Sequence, residues 1–505
     1  MSRALRVAGA VAALALAAGC ESGPDYQRPS APVPPAYKEA AAASGWKVGE
    51  PADAIDRGAW WSIYADPVLD GLEKQIDISN QTLKADEAAF RQAEALAAQA
   101  RAGLFPTVTL NAQAQRSRGG GRGGGAFAGG GGGGGNISNF FTVTADASWT
   151  PDLWGSVRRA VESSEATAQA SAGTLAAARL SAQGSLATDY VQLRVADELK
   201  RLLDAAVAAF SESLRISQNQ YKAGIASQSD VSQAQAQLDQ TRAQAIAVGV
   251  SRAQLEHAIA VLVGKPPAEV SIAPTKAELR IPNTPPGLPS ALLERRPDIA
   301  VAERQMAAQN ARIGVAEAAF YPAVTLSGDY GVASSLLSKL FTAGSRVWAF
   351  GANAAQTLFD AGAHQATLEA QRAGFEQTVA TYRQTVLAAF QQVEDELAAL
   401  RILAQQAEAA ASALKAAREA ERVITNQYKA GTVAYTAVIV AQTTALSDAE
   451  ALVNIRQSRL VASVALIEAL GGGWDAAQIP SPAKVESDQP LNFSPIPAPD
   501  PHPVK

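Results

Sequence analysis

The pentapeptide Gln220-Tyr221-Lys222-Ala223-Gly224 returns 207 residues later as Gln427-Tyr428-Lys429-Ala430-Gly431. A long unit is therefore written twice. In each copy an Ala/Leu/Gln-rich segment runs into the pentapeptide and a second runs out of it. Glycine commonly follows the last turn of a helix, in the left-handed region other residues avoid. Each pentapeptide thus predicts the tip of a helical hairpin.

The segments leading to the tips are long. From Gly155 to Lys222 and from about Ala363 to Lys429 there is no proline, so each predicts one helix of about 100 Å. Leu199, Leu203, Ala206, Phe210 and Leu214 recur at the spacing of a packed seam, as do Val386, Phe390, Val393, Leu397 and Leu400. The return helices are predicted over about 227–263 and 432–470. Aromatics make up only 6% of the chain, which suits extended helices packed through small side chains.

Upstream of each long helix the period changes to two. Val108, Leu110, Ala112 and Ala114 alternate with Thr107, Thr109, Asn111, Gln113 and Gln115. After the glycine tract Gly119–Gly135, Phe141, Val143, Ala145, Ala147 and Trp149 alternate with Thr142, Thr144, Asp146, Ser148 and Thr150. The tract itself is too glycine-rich to fold and reads as an exposed loop. In the second copy Val324, Leu326, Gly328, Tyr330 and Val332 form one strand face. A fourth strand is predicted around Trp348, Phe350, Ala352, Ala354 and Leu358. Strands of about ten residues, apolar on one side, match membrane-barrel strands. A soluble half-buried hairpin shows the same alternation.

The N-terminus sets the compartment. Arg3 and Arg6 precede an apolar run, Val7–Ala18, too short for a mature span. Small residues lead to Cys20, the only cysteine. We read residues 1–19 as a lipoprotein signal and Cys20 as the acylated first residue; a plain secretory signal is the alternative. Glu21 is not an inner-membrane retention signal of the Asp type, which favours an outer-membrane address. Without the signal, 41 basic face 48 acidic residues, which argues against a nucleic-acid partner.

The predicted order is a lipidated tether (20–67), a first repeat (68–264) opening on a helix from Val68 to Ala102, and a Pro-rich linker (265–289). A second repeat (290–470) and a C-terminal tail (471–505) follow. Each chain offers four strands, too few to close, and an open edge is not tolerated in lipid. Two copies supply eight strands, and three supply twelve, enough to enclose water.

The chain resembles the outer-membrane efflux protein family, the TolC-like outer-membrane factors, in the lipoprotein branch serving RND-type tripartite pumps. The resemblance rests on Cys20 with Gly23-Pro24-Asp25-Tyr26, Trp60-Trp61 to Asp66-Pro67, Glu294-Arg295-Arg296-Pro297-Asp298-Ile299, Phe320-Tyr321-Pro322 and both tips, in that order. It implies a fold that is mainly α with membrane β: a homotrimer whose twelve-stranded β-barrel continues into a twelve-helix coiled-coil α-barrel. It further implies a passive exit duct in outer-membrane lipid, palmitate on Cys20, and no other cofactor. The partners would be a periplasmic adaptor (membrane fusion protein) and an inner-membrane RND transporter.

The residues expected to dock the adaptor are Tyr221, Lys222, Ala223, Gly224, Tyr428, Lys429, Ala430 and Gly431. Asp230 and Tyr428 fall on family gate positions. The family's gate arginine falls on Val433 and its deeper carboxylates on Ala437 and Val440, which implies a less charged constriction. Phe140, Phe141, Trp149, Phe320, Tyr321 and Trp348 are expected at the membrane interfaces. Arg295, Arg296 and Asp298 read as a helix-boundary network. His257, His364 and His502 stand apart, and no metal spacing, phosphate loop or nucleophile elbow occurs. The competing reading is a lipid-anchored coiled-coil scaffold or adaptor that does not span the membrane.

Overall fold

The computed structural model describes residues 22–39, 59–118, 137–276, 279–282, 289–491 and 494. Cys20, the signal stretch 1–19, the tract Gly119–Gly135, His502 and most of the chain beyond 491 lie outside the described residues.

Two helices of equal length dominate: α3, Ser156–Lys222, and α6, Ala363–Lys429, each 67 residues. Both follow a glycine at positive φ, Gly155 (+80°) and Gly362 (+88°), where the chain turns from strand to helix. Both stop at the tips as the sequence indicates. Gly224 and Gly431 take φ of +73° and +74°. The amides of Ile225 and Thr432 reach back to the carbonyls of Gln220 and Gln427 at 2.9 and 3.0 Å, closing the last turn. The return helices are α4, Gln228–Leu262, and α7, Tyr435–Ala469. Helix α5, Pro297–Ala318, packs between the two long helices. Its approach to α3 is close: a Cβ on Gly173 would stand 2.8 Å from Val301 Cγ2.

The helix expected over Val68–Ala102 is instead two, α1 (Pro67–Ser79) and α2 (Gln81–Ala102). The break is at Asn80, whose side chain accepts from the amides of Thr82 and Leu83 and donates to the Leu262 carbonyl at 2.8 Å. Asparagine is poor inside a helix and strong at its N-cap. Asp66 caps α1 and also accepts from the Tyr190 phenol at 2.7 Å.

The buried side chains form three main groups. One surrounds Trp60, Trp61, Tyr190 and Ile259 midway along the helices. A second joins Ile299, Met306, Tyr382 and Val386. A third, next to the tips, contains Phe210, Leu214, Leu238, Tyr428, Tyr435 and Val438.

Two segments read as a tether and a tail are docked where they are described. Residues 22–39 lie along the second half of the chain. Tyr37 is buried, Tyr26 donates to Glu303 at 2.7 Å, and the amides of Lys38 and Glu39 donate to Glu394. After Gly473 a short helix α8, Pro482–Asp488, sets Val485 against Ala97 and Ala168. Arg101 fixes the end of this segment by donating to the Gln489 carbonyl at 2.8 Å. Arg296 bonds Asp298, Gln392 and the Ala469 carbonyl, joining the start of α5 to α6 and α7.

The strands β1 (Thr107–Arg118), β2 (Ile137–Trp149), β3 (Ala323–Ser334) and β4 (Arg346–Ala355) form one antiparallel sheet in the order 1-2-3-4. Strand β4 ends before Leu358, which is 91% exposed.

Candidate functional site: a one-sided sheet, two hairpin tips and an N-terminal hook

Residues directly opposite in a sheet share a face, so the register sorts every side chain. Leu110 pairs with Ala145, Ala145 with Tyr330, and Tyr330 with Trp348. Two residues along, Val108, Ala147, Gly328 and Phe350 form the next row, and Ala112, Val143 and Val332 another. On this face the first two rows are apolar across all four strands, and the third is apolar across β1 to β3 and meets Arg346 on β4. The other face carries Thr109, Asp146 and Asp329 in one row and Asn111 and Thr144 in the next. Large apolar groups on the first face are bare, with Tyr330, Trp348 and Phe350 at 59%, 68% and 79% exposure. Both β1 and β4 are free edges. Strands of 10–13 residues match those that cross a bilayer at a tilt.

The register corrects one expected interface aromatic. Phe140 pairs with Gln115 and therefore lies on the polar face, while Phe141 pairs with Ala114 on the apolar one. Trp149 pairs with Leu326 and Trp348 with Tyr330, both on the apolar face. Phe320 and Tyr321 precede β3, at the end of the sheet nearest the helices. Tyr321 stacks on Trp154 at 4.9 Å, and Phe320 meets the His364 ring edge-on.

The sheet-to-helix junction repeats a device the sequence reading missed. The Asp152 carboxylate accepts from the amides of Val157 and Arg158 at 3.0 and 2.9 Å. Asp360 accepts from the amides of His364 and Gly362 and contacts the His364 ring. The His364 amide, then its ring, hold the Asp360 carboxyl down at about 2. The shared Asp ahead of a glycine, Asp152…Gly155 and Asp360…Gly362, is the signal that marks it.

The first described residues hook onto the same junction. The Ser22 amide donates to the Trp154 carbonyl at 3.0 Å. Arg159, buried, donates to the Ser22 carbonyl at 3.2 Å and to Asp25 at 2.8 Å. Gly23, at φ +93°, lies against Gly314, where a Cβ would come within 2.4 Å of the Gly314 Cα.

At the far ends of the helices the tips share a sequence but not a burial pattern. Tyr221, Lys222, Ala223 and Gly224 are all exposed, as are Lys429, Ala430 and Gly431. Tyr428 is the exception, only 8% exposed, its ring 5.2 Å from that of Tyr435. Position 435 corresponds to Gln228 in the first copy, so Tyr221 has no ring to pack on. Burial pushes the Tyr428 phenol above its usual range and raises Tyr435 to about 12. The Tyr428 hydroxyl lies beside Ser217, yet neither makes a well-formed hydrogen bond.

Asp230 is not bonded to Tyr428 within the chain. Its carboxylate accepts from the Ser227 amide and hydroxyl at 2.9 and 2.8 Å, completing a capping box at the start of α4. Val440 is exposed, and Val433 and Ala437 are half-buried. Among the described residues no His, Cys, Asp and Glu side chains converge as a metal site.

Comparison with known proteins agrees with this architecture. A family profile described as outer membrane efflux protein matches residues 72–265 and 288–472, well over half of the chain. The probable efflux pump outer membrane protein TtgC of Pseudomonas putida is 30% identical over 461 residues, covering 90% of this chain and 93% of that protein. The pyoverdine export outer membrane protein OpmQ of Pseudomonas aeruginosa is 30% identical over 439 residues, covering 86% and 92%. The solved structure of the outer-membrane channel OprN superposes with a TM-score of 0.83 at 29% identity, covering 90% of this chain and all of that one.

Proposed function

The chain belongs to the outer membrane efflux protein family, and from that premise we infer that it is the outer-membrane exit duct of a tripartite efflux pump. The observation that carries this is the sheet. One face is apolar from the helix end up to an outer rim of arginines, the other carries the acids and most of the Thr, Asn and Gln side chains, and both edges are unpaired. Only closure with further copies satisfies those edges in lipid. Three copies supply twelve strands, a barrel that turns its apolar face to lipid and its polar face to a water-filled lumen.

The helices continue the wall. At about 100 Å they exceed a bilayer more than threefold and reach into the periplasm. Helix α4 is apolar enough to cross a membrane by composition, yet it is mostly bare. Its exposed Ile246, Val250 and Val261 suit burial between copies.

Cys20 carries the lipid in this reading. Ser22, two residues on, is held at the end of the sheet nearest the helices, the level of the inner leaflet. The exposed tip residues Tyr221 to Gly224 and Lys429 to Gly431 dock the periplasmic adaptor, which links the duct to an inner-membrane transporter of the RND type. Tyr428 and Asp230 shape the tips of their own chain. The constriction is lined by small and apolar groups, Val440 among them.

The test is assembly and conduction. The mature protein, purified in detergent, is expected to be trimeric by light scattering, heat-modifiable on gels, and to form ion-conducting channels in planar bilayers. A monomer soluble without detergent refutes the reading. It would favour the lipid-anchored scaffold.

A further inference from the structure

We propose that the outer rim of the sheet's apolar face binds a phosphate-bearing glycolipid of the outer leaflet, held by Arg116, Arg118 and Arg346. This rests on the reading of the sheet as one third of a membrane barrel.

The four strands contain five charged residues, and the register separates them by sign. Arg116 pairs with Asn139 and Arg118 with Ile137, continuing the row of Ala112 and Ala114. Arg346 pairs with Val332. All three arginines therefore lie on the apolar face. The two acids, Asp146 and Asp329, pair with each other on the polar face.

All three arginines lie toward the outer end of the sheet: Arg116 and Arg118 close β1, and Arg346, level with Ala112 in the register, opens β4. Arg116 is eight residues beyond Val108, roughly 27 Å along the strand. Tilted at about 40°, that is roughly 20 Å of bilayer normal, and Arg118 adds about 5 Å more. An apolar band of about 25 Å ends at this level. The end in question is opposite the one joined to the helices and to Ser22, so it faces the outer leaflet.

On a lipid-facing strand an arginine costs about 2–4 kcal/mol at the midplane but close to nothing at the interface. There its planar fork is suited to grip phosphate with two hydrogen bonds. All three are exposed, and neither outer connection, 119–136 or 335–345, contains an acidic residue to neutralise them. Within one chain Arg346 and the β1 pair stand on opposite edges, three strand spacings across and, for Arg116, four residues along, about 20 Å apart. Closure of the barrel brings β4 of one copy beside β1 of the next. Each of the seams then gathers three guanidinium groups against lipid, a match for a glycolipid with more than one phosphate.

The test is native mass spectrometry of the full-length trimer titrated with three lipids: bis-phosphorylated lipid A, its dephosphorylated form with the same acyl chains, and phosphatidylglycerol. The bis-phosphorylated glycolipid is expected to bind at least about tenfold more tightly than either of the others, about 1.4 kcal/mol. The triple variant Arg116→Gln, Arg118→Gln, Arg346→Gln is expected to lose that preference. Equal binding of the dephosphorylated form, equal binding of phosphatidylglycerol, or an unchanged triple variant overturns the proposal. Should the triple variant not assemble, Arg346→Gln alone is read in its place, with an unchanged preference again overturning it. A conducting wild-type trimer without phosphate preference defeats only this proposal, whereas a wild type that neither trimerises nor conducts defeats the duct itself.

Discussion

Tyr428 and Tyr221 occupy the same place in the repeated pentapeptide, and the structure predicts opposite sensitivities. Tyr428 is 8% exposed among Phe210, Leu214, Leu238 and Tyr435, with a buried hydroxyl lacking a well-formed hydrogen bond; Tyr221 is 46% exposed. Truncating a buried aromatic ring costs about 3–5 kcal/mol, so Tyr428→Ala is expected to fray the second tip severely. Leaving a buried polar group unsatisfied costs about 1–3 kcal/mol. Tyr428→Phe removes that group and keeps the ring, so it is expected to be neutral or to stabilise by about 1 kcal/mol. Exposed substitutions away from special contacts stay within about 0.5 kcal/mol, which is the expectation for Tyr221→Phe. The measurement is native-state hydrogen exchange at the last turn of α6 and the first of α7, where about 1.4 kcal/mol is a tenfold change in protection. If Tyr428→Phe loosens the tip as much as Tyr428→Ala, or raises single-channel conductance, the hydroxyl has a partner on a neighbouring copy. Tyr428 would then be a latch and the reasoning here wrong.

Further outcomes follow from the junction, the caps and the sheet. Asp360 is depressed from 3.8 to about 2, so its hold on the start of α6 is complete above about pH 4 and is lost as the pH falls through about 2; Asp360→Asn should remove that dependence from exchange protection of the first α6 turn. Asp66→Ala removes the α1 cap and the Tyr190 partner together and should cost about 2 kcal/mol in denaturant titration. Gly23→Val cannot hold φ +93° or the contact with Gly314, and should expose residues 22–39 to limited proteolysis. Ala145→Arg, on the apolar face beside Leu110 and Tyr330, should cost about 2–4 kcal/mol of folding into lipid vesicles, while Thr144→Arg on the polar face should cost little.

The helix limits were legible because glycine marks them: positive φ at Gly155, Gly224, Gly362 and Gly431 is a demand few other residues meet. The break at Asn80 was not, because the pattern on both sides is equally helical. What fixes it is Leu262 and Val263, far away in sequence. Alternation identified the four strands and already set Phe140 in phase with Thr142 and Thr144. Its expected place at the interface rested on its position near a strand end, and the pairing with Gln115 shows that phase decides. The tips looked alike because identity over five residues conceals position 435, where tyrosine replaces the Gln228 of the first copy. Residues 22–39 and 474–491 fall in segments read as a tether and a tail, yet a few anchors such as Tyr37 and Val485 suffice to seat them.

That α3 and α6 match residue for residue in length bears on how a partner would hold on. Equal spokes from one hub end at one altitude, so a trimer would present its six points as a level crown. A ring-shaped visitor with six weak contacts could touch them all at once. After the first touch, every later one is paid in effective concentration rather than in fresh encounters, and weak bonds add up to a durable grip. A single insertion in one spoke would tilt the crown and forfeit that gain without altering any residue at the point itself.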